Sequence, residues 1–180
     1  MEQVETPENQ VTTRSVGLRY GLIAGLVSIA YFMIMVVMDI NMTEGIGRWL
    51  GLLITGAIIF LGHKYYKENG DGFMTIGQGT GIGFWLALVS SAISSVFTYI
   101  YLKFIDQSMI QQMIDKAREN MEDQGKLSDD QIDQAMKITE KFMTPEIMLG
   151  TGLFFGVIMI VILALIISLL TQVKNPEEAI

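Results

Sequence analysis

The uncharged run from Ile76 to Leu102 constrains this chain more than any other feature. As a helix, at about 1.5 Å per residue, it is longer than the hydrocarbon core of a bilayer, which is about 30 Å thick. Three further apolar runs of comparable length occupy residues 16–38, 46–66 and 147–170. Because a backbone in lipid must satisfy its own hydrogen-bonding groups, runs of this kind cross a bilayer as helices. The sequence therefore predicts an all-α membrane protein whose four spans form a four-helix transmembrane bundle.

The polar segments around these runs give the rest of the domain organisation. Residues 1–14 are polar and acidic, which predicts a disordered tail, and residues 173–180 form a second polar tail. The four-span membrane domain then covers residues 15–172. The connector between the first two spans, residues 39–45, is short, so these spans are predicted to be antiparallel neighbours.

A long connection, residues 103–146, separates the third and fourth spans and is too long to lack structure in a compact protein. Apolar residues recur in it at helical spacing in two stretches. Gly125 suits the position just past the end of a first helix, and Ser128 to Gln131 has the form of a capping box that starts a second. We therefore predict an amphipathic helical hairpin at residues 105–144, between spans three and four.

Composition and charge argue against several function classes. The net charge of −7 argues against a nucleic-acid partner and against an anionic membrane surface, because either would favour clustered Lys and Arg. Without Cys, the chain has no disulfide, thiolate nucleophile or Cys-based metal site. The single histidine, His63, has no second ligand at metal-binding spacing, and we interpret it as an interfacial side chain. No ionisable residue lies deep in a predicted span, which argues against a transporter or a proton-coupled machine, because such proteins keep ionisable groups at membrane depth. We also predict no catalytic residue, no metal and no cofactor.

Small residues spaced four apart recur in every predicted span. In lipid no hydrophobic effect drives helices together, so close approach depends on small side chains and on hydroxyl groups. The spacing predicts that spans one and three approach each other at the terminal side of the bundle, and spans two and four at the hairpin side. A homo-oligomer interface and sites of helix bending are the alternatives. The predicted packing residues are Gly17, Gly21, Gly25, Gly47, Gly51, Gly79, Gly83, Ala87, Ser91, Ser94, Gly152 and Gly156.

The third span has two unlike faces when it is drawn as a helix. One face carries small side chains, and the other carries bulky ones that include Ile82, Leu86 and Ile93. Because small side chains permit close helix contact, we predict that the small face packs against other helices and that the bulky face meets lipid.

Two functions from different classes fit this architecture. The first is a non-enzymatic scaffold or accessory subunit that lies in the lipid bilayer and presents the acidic hairpin to a membrane-protein partner or to a second copy of itself. Methionines are adaptable apolar groups often used in binding surfaces, although the two apolar stripes of the hairpin could instead bury each other. The second is a small transporter or channel subunit that uses the hydroxyl-lined face of span three. The methionines of the predicted partner surface are Met109, Met113, Met121, Met136 and Met143.

Basic residues near the membrane indicate the orientation of the spans. Lys64 and Lys67 lie in one short loop, whereas Arg48 alone lies by the other. Because short cytoplasmic loops are enriched in Lys and Arg, we predict that both termini are cytoplasmic and that the hairpin is extracytoplasmic.

Three short segments carry a resemblance to a known family. Tyr20-Gly21-Leu22 opens span one, the sequence Tyr-Lys-Glu-Asn-Gly occupies residues 66–70, and Gly-Phe-Met-Thr-Ile-Gly-Gln at residues 72–78 leads into span three. With the long charged connector before a final apolar span, they resemble the bacterial membrane-protein family called domain of unknown function 4199, over most of residues 15–172. The resemblance implies a four-span protein of the bacterial inner membrane, with no assigned activity, cofactor or catalytic residues.

Overall fold

The computed structural model describes residues 11–38, 40 and 45–175. Within these ranges the chain is helical and has no β-strand, and four of its helices are long and apolar enough to cross a membrane. This confirms the predicted fold class, an all-α four-helix transmembrane bundle with an amphipathic hairpin between spans three and four. The helices are α1 (Thr13–Val37), α2 (Gly45–Glu68), α3 (Ile76–Ile100), α4 (Ser108–Asp123), α5 (Asp129–Phe142) and α6 (Pro145–Thr171), and a π-helical turn (Tyr101–Ile105) continues α3.

The first predicted tail lies largely outside the described residues, since the description starts at residue 11. Thr13 and Arg14, which the prediction placed in the tail, instead form the first turn of α1. The helix begins there because the Ser15 N–H donates a hydrogen bond of 3.1 Å to Oγ1 of Thr12, which caps the helix.

The chain after α6 is described as far as residue 175, so residues 176–180 of the second predicted tail lie outside the description. Val173 exchanges two backbone hydrogen bonds of 2.9 Å with Met74, in the loop that precedes α3. Met74 is fully buried. Val173 is therefore fixed to this loop, next to the ends of α2 and α6.

Local side-chain signals set the helix ends. At the start of α3 the Gln78 N–H donates to Thr75 Oγ1 at 3.2 Å, and the Thr75 N–H donates to Gln78 Oε1 at 2.7 Å, a reciprocal capping box. The predicted capping box of Ser128 and Gln131 starts α5. Gly125 follows α4 with a φ of +60°, the left-handed conformation expected just past a helix end.

The chain forms two compact units. Unit one comprises Met1–Ile93 and Phe155–Ile180, and unit two comprises Ser94–Phe154. In unit one all four membrane helices contribute to one buried cluster, so this unit holds the centre of the transmembrane bundle. The buried residues of that cluster are Ala24, Ile58, Ile59, Leu86 and Ala164.

Helix α1 packs on α3 through glycines. A Cβ atom built on Gly21 would lie 2.8 Å from Cβ of Val89, and one built on Gly25 would lie 2.8 Å from Cδ1 of Ile93. These separations are shorter than van der Waals contact, so glycine is what permits the α1 backbone to approach the bulky side chains of α3. The pairs run in parallel register: Gly17 with Trp85, Gly21 with Val89, and Gly25 with Ile93.

The prediction that the bulky face of span three meets lipid is wrong for the first part of that face, whereas Val96 and Ile100 further along it are exposed. Ile82 and Leu86 are fully buried, and Ile93 contacts α1 at Gly25. The physical reason is that α3 has neighbours on two sides. Its bulky side chains fill the groove that the α1 glycines leave open, while its small face is free to contact another helix.

That other helix is α6, which packs on the small face of α3 in antiparallel register. A Cβ atom built on Gly79 would lie 3.0 Å from Cβ of Ser168, and one built on Gly83 would overlap Cβ of Ala164. Four residues forward along α3, from Gly79 to Gly83, correspond to four residues back along α6, from Ser168 to Ala164. Glycine at these two positions of α3 therefore permits α6 to approach more closely than a larger residue would allow.

The predicted glycine contact between spans two and four is wrong. Gly156 of α6 faces Ser91 of α3 in unit one, where a Cβ atom built on the glycine would lie 2.8 Å from the serine Oγ. Gly47 and Gly51 of α2 face Tyr31 of α1, whose hydroxyl donates to the Gly47 carbonyl. A glycine permits close approach to any neighbour, large or small, so its spacing does not identify the partner helix.

Unit two contains the hairpin. Helices α4 and α5 contact each other, and Ile132 and Met136 of α5 are buried. Arg118 of α4 pairs with Asp133 of α5 at 2.8 Å, and this carboxylate holds the pKa of the Arg118 guanidinium above its ordinary value. In the same unit a Cβ atom built on Gly152 of α6 would lie 3.2 Å from Oγ of Ser95 in α3. Apolar packing and the ion pair between Arg118 and Asp133 thus hold the hairpin together.

Candidate functional site

His63 is completely buried in unit one, with an exposed fraction of 0%. It lies on α2, five residues before the end of that helix at Glu68. The histidine interpreted from the sequence as an interfacial side chain is therefore enclosed by protein. Polar groups inside a membrane helix are costly to bury, so an imidazole in this position marks a candidate functional site.

Both ring nitrogens of His63 are hydrogen-bonded. Nε2 lies 3.0 Å from the Gly79 carbonyl oxygen, and because a carbonyl only accepts, Nε2 carries a hydrogen and donates it. Nδ1 lies 2.8 Å from Oγ1 of Thr171. The imidazole of α2 therefore joins the backbone of α3 to a side chain of α6.

The Thr171 hydroxyl allows this arrangement two protonation states. Its Oγ1 lies 2.8 Å from Nδ1 of His63 and 2.8 Å from the Ile167 carbonyl oxygen. With a neutral imidazole, the hydroxyl donates to Nδ1. With an imidazolium, Nδ1 donates to the hydroxyl, which turns its own proton to Ile167. Both hydrogen bonds of His63 are therefore geometrically compatible with a neutral and with a protonated imidazole.

Lys67 completes the arrangement one helical turn after His63. Its Nζ donates a hydrogen bond of 2.9 Å to the backbone carbonyl of Thr171, the last residue of α6. The last carbonyls of a helix have no partner within the helix and carry partial negative charge, so a lysine satisfies both the hydrogen bond and the dipole. We call the group of His63, Lys67, Gly79 and Thr171 the polar junction.

The sequence did not reveal the polar junction, because its single histidine has no metal-ligand or catalytic partner at a recognisable spacing. A different signal was present in the sequence. His63 and Lys67 are four residues apart and so share one face of α2, and Thr171 ends the last apolar run. Polar residues at the ends of two spans indicate that these two helix ends contact each other. They do not indicate that the Gly79 carbonyl is the third member of the contact.

The hydroxyl face of α3 is packed against α6 in unit one. Ser91 is 5% exposed, lies against Gly156, and its Oγ has no hydrogen-bond partner among the residues that the structure describes. Ser90 donates a hydrogen bond of 2.8 Å to the Leu86 carbonyl of its own helix. The predicted packing residue Ala87 is fully buried. These side chains therefore fill a helix contact.

The structure does not bring the predicted methionine surface together as one exposed surface. Met136 is 2% exposed and belongs to the interior of the hairpin, so it is not accessible to a partner in this conformation. The other four, Met109, Met113, Met121 and Met143, are half-buried. Ser94, a predicted packing residue at the start of unit two, is also half-buried.

Two other apolar side chains of the hairpin are exposed to a greater extent. Ile138 is 59% exposed and Phe142 is 61% exposed. They are four residues apart on α5 and therefore lie on one face, one turn apart. We call Ile138 and Phe142 the outer hairpin patch. It is the more accessible candidate for a partner surface.

Comparison with known proteins gives one match. The model of a family described as "Protein of unknown function (DUF4199)" matches residues 19–172. No curated protein and no solved structure matches the chain significantly. The matched range includes all members of the polar junction and the outer hairpin patch.

Proposed function

Because the chain belongs to the DUF4199 family, whose function is unknown, we propose its role from its own structure: a non-enzymatic membrane scaffold or accessory subunit that binds a partner protein through its hairpin. The observation that carries the proposal is the outer hairpin patch. Ile132 and Met136 already supply the buried side of α5, yet Ile138 and Phe142 remain exposed on a helix that is otherwise largely polar. Exposed apolar side chains grouped on a polar surface are typical of protein contacts.

The packing of the third span supports a scaffold over a transporter or channel subunit. A conduit along the hydroxyl face of α3 would place water at Ser91, whereas this side chain lies against Gly156 with 5% of its surface exposed. Hydroxyl groups of membrane helices also stabilise helix contacts, and that role accounts for this face without a conduit.

We place the protein in the cytoplasmic membrane of a bacterium, as a multi-pass protein with both termini in the cytoplasm. The arginines of α1 support this orientation. Arg14 lies 5.1 Å from the centre of the Trp85 ring, and Arg19 lies 4.8 Å from that of Tyr65, so both are held near the terminal ends of the spans. Basic residues at these ends favour the cytoplasmic side.

A photo-crosslinking side chain at Ile138 or Phe142 is expected to capture a partner in native membranes, because both positions are exposed on the proposed contact. The same label at Glu140, which is exposed and lies two residues from each patch position and therefore on the opposite side of α5, is the matched control and is expected to give at least several-fold less product. The products are separated by size and identified by mass spectrometry. Absence of any adduct at the two patch positions, either with another protein or with a second copy, would contradict the proposal.

Cysteine labelling distinguishes the scaffold from a conduit, since the natural chain has no Cys. With a membrane-impermeant thiol reagent on intact cells, Ile138→Cys is expected to react rapidly, because it is exposed on an extracytoplasmic hairpin. Ser91→Cys is expected to stay unreacted in intact cells and in opened membranes, because its side chain is enclosed by α6. Rapid reaction at position 91 would favour the conduit, and reaction at position 138 only after the membranes are opened would reverse the orientation.

A further inference from the structure

A cavity of about 370 Å³ lies in unit one between α1 and α2, at the end of the bundle opposite the polar junction. Met159 of α6 forms part of its wall. Its size is within the range of small-molecule sites. The lining runs along α2 from Gly47 to Ile58, which is about 16 Å at 1.5 Å per residue. The cavity is therefore long in the direction of the membrane helices.

One end of the cavity carries a positive charge. Arg48 lines it from the first turn of α2, and its side chain is exposed. Among the residues that the structure describes, no carboxylate pairs with Arg48. Since α2 begins at Gly45, the positive end of the helix dipole lies in the same turn and adds to the attraction for an anion.

The polar groups beside Arg48 present oxygen acceptors. The Tyr31 hydroxyl donates to the Gly47 carbonyl, and the Thr55 hydroxyl donates to the Gly51 carbonyl at 2.9 Å. A hydroxyl that has donated its only proton still has lone pairs that accept hydrogen bonds. This end of the cavity therefore offers a cation for an anionic group and oxygen atoms for a ligand's own hydroxyl groups.

The remaining wall is apolar and includes Ala24, Ile54 and Ile58. All three helices of the cavity belong to the four that are long and apolar enough to cross a membrane, so the medium around it is lipid. Arg48 lies near the start of α2, at the depth where lipid headgroups meet the hydrocarbon core.

From this combination we propose that the cavity binds an anionic phospholipid. The guanidinium of Arg48 pairs with the phosphate, a geometry that arginine fits with two parallel hydrogen bonds. Hydroxyl groups of a glycerol headgroup donate to Tyr31 and Thr55. Part of one acyl chain lies along the apolar wall towards Ile58. The site is independent of the hairpin and of the function proposed for it.

The test compares lipid binding by the purified full-length protein in detergent, measured by native mass spectrometry with phosphatidylglycerol and with phosphatidylcholine. The wild type is expected to retain phosphatidylglycerol in preference to phosphatidylcholine. Arg48→Gln is expected to bind phosphatidylglycerol about tenfold more weakly or worse, because it loses a charged hydrogen-bond donor. Arg14→Gln, which removes the same charge at the other end of the spans, is the matched control and is expected to bind as the wild type does.

Gly51→Leu provides a second variant that keeps the charge and fills the cavity. A Cβ atom built on Gly51 would lie 3.6 Å from the Tyr31 ring, an ordinary contact, so the substitution adds bulk to the cavity without a backbone clash. It is expected to lose the bound lipid and to keep its thermal midpoint in lipid-free detergent. Equal binding of the two lipids by the wild type, or unchanged binding by both variants, would overturn the proposal. Binding of water-soluble glycerol phosphate as tight as that of phosphatidylglycerol would also overturn it, since the acyl chain would then contribute nothing.

Discussion

Replacement of Gly83 by Ala is expected to lower the free energy of unfolding by about 1 to 3 kcal/mol or more, although the change adds a single methyl group. The new Cβ atom would overlap Cβ of Ala164, which has no rotatable side chain with which to move aside. Helix α6 must therefore shift away from α3. Ala is a better helix former than Gly by about 0.8 to 1 kcal/mol in water, so a net loss would show that the steric cost is larger than this gain.

Gly81→Ala is the matched control for this change. It lies on the same helix two residues earlier, and a Cβ atom built there would lie 3.8 Å from Cβ of Thr13, an ordinary contact. The double variant Gly83→Ala with Ala164→Gly moves the methyl group from α6 to α3 and is expected to recover most of the loss. Unfolding in detergent micelles, followed by helical content, measures all of these variants. Equal stability of Gly83→Ala and Gly81→Ala would show that the two helices do not meet at this position.

The fold could be predicted from the sequence because its signals are local. An uncharged run of sufficient length needs no knowledge of its neighbours to be recognised as a span, and α3 begins at Ile76, where the apolar run itself begins. Gly125 and the Ser128 capping box likewise act within a few residues of their own position. The bounds of the helices therefore follow from the chain itself.

The arrangement of the helices is not local, and there the predictions failed. The small face of α3 was correctly expected to pack against another helix. The bulky face was expected to meet lipid, because nothing in the α3 sequence shows that Gly21 and Gly25 of α1 leave room for bulky side chains. In water, bulky apolar side chains would indicate a buried face. In lipid they fit either a helix contact or the bilayer, so residue type alone does not decide between them.

The polar junction shows the same limit for the candidate site. The partners of His63 are Gly79 and Thr171, which are 16 and 108 residues away in sequence. One partner is a backbone carbonyl, and every residue has one of these. Sequence could therefore indicate a polar face on α2, from His63 and Lys67, but it could not indicate which helices complete the site.

His63→Ala is expected to destabilise the protein by about 2 to 4 kcal/mol, since the change removes two buried hydrogen bonds and leaves a cavity between α2, α3 and α6. Phe60→Ala is the matched control, because it removes a side chain of similar size from the same helix that is 51% exposed. In lipid or detergent an exposed position refills with acyl chains, so a much smaller loss is expected there. Midpoints of unfolding in detergent micelles give the comparison.

Two further variants separate the hydrogen bonds of the polar junction from its volume. His63→Phe fills most of the space but donates nothing to the Gly79 carbonyl, and Thr171→Val keeps the shape of the threonine but removes its hydroxyl. If the hydrogen bonds hold the three helices together, His63→Phe is expected to be destabilised nearly as much as His63→Ala. Thr171→Val is then expected to lower the free energy of unfolding by about 1 kcal/mol, the size of one buried hydrogen bond. If His63→Phe is instead as stable as the wild type, the imidazole acts only as a space-filling group.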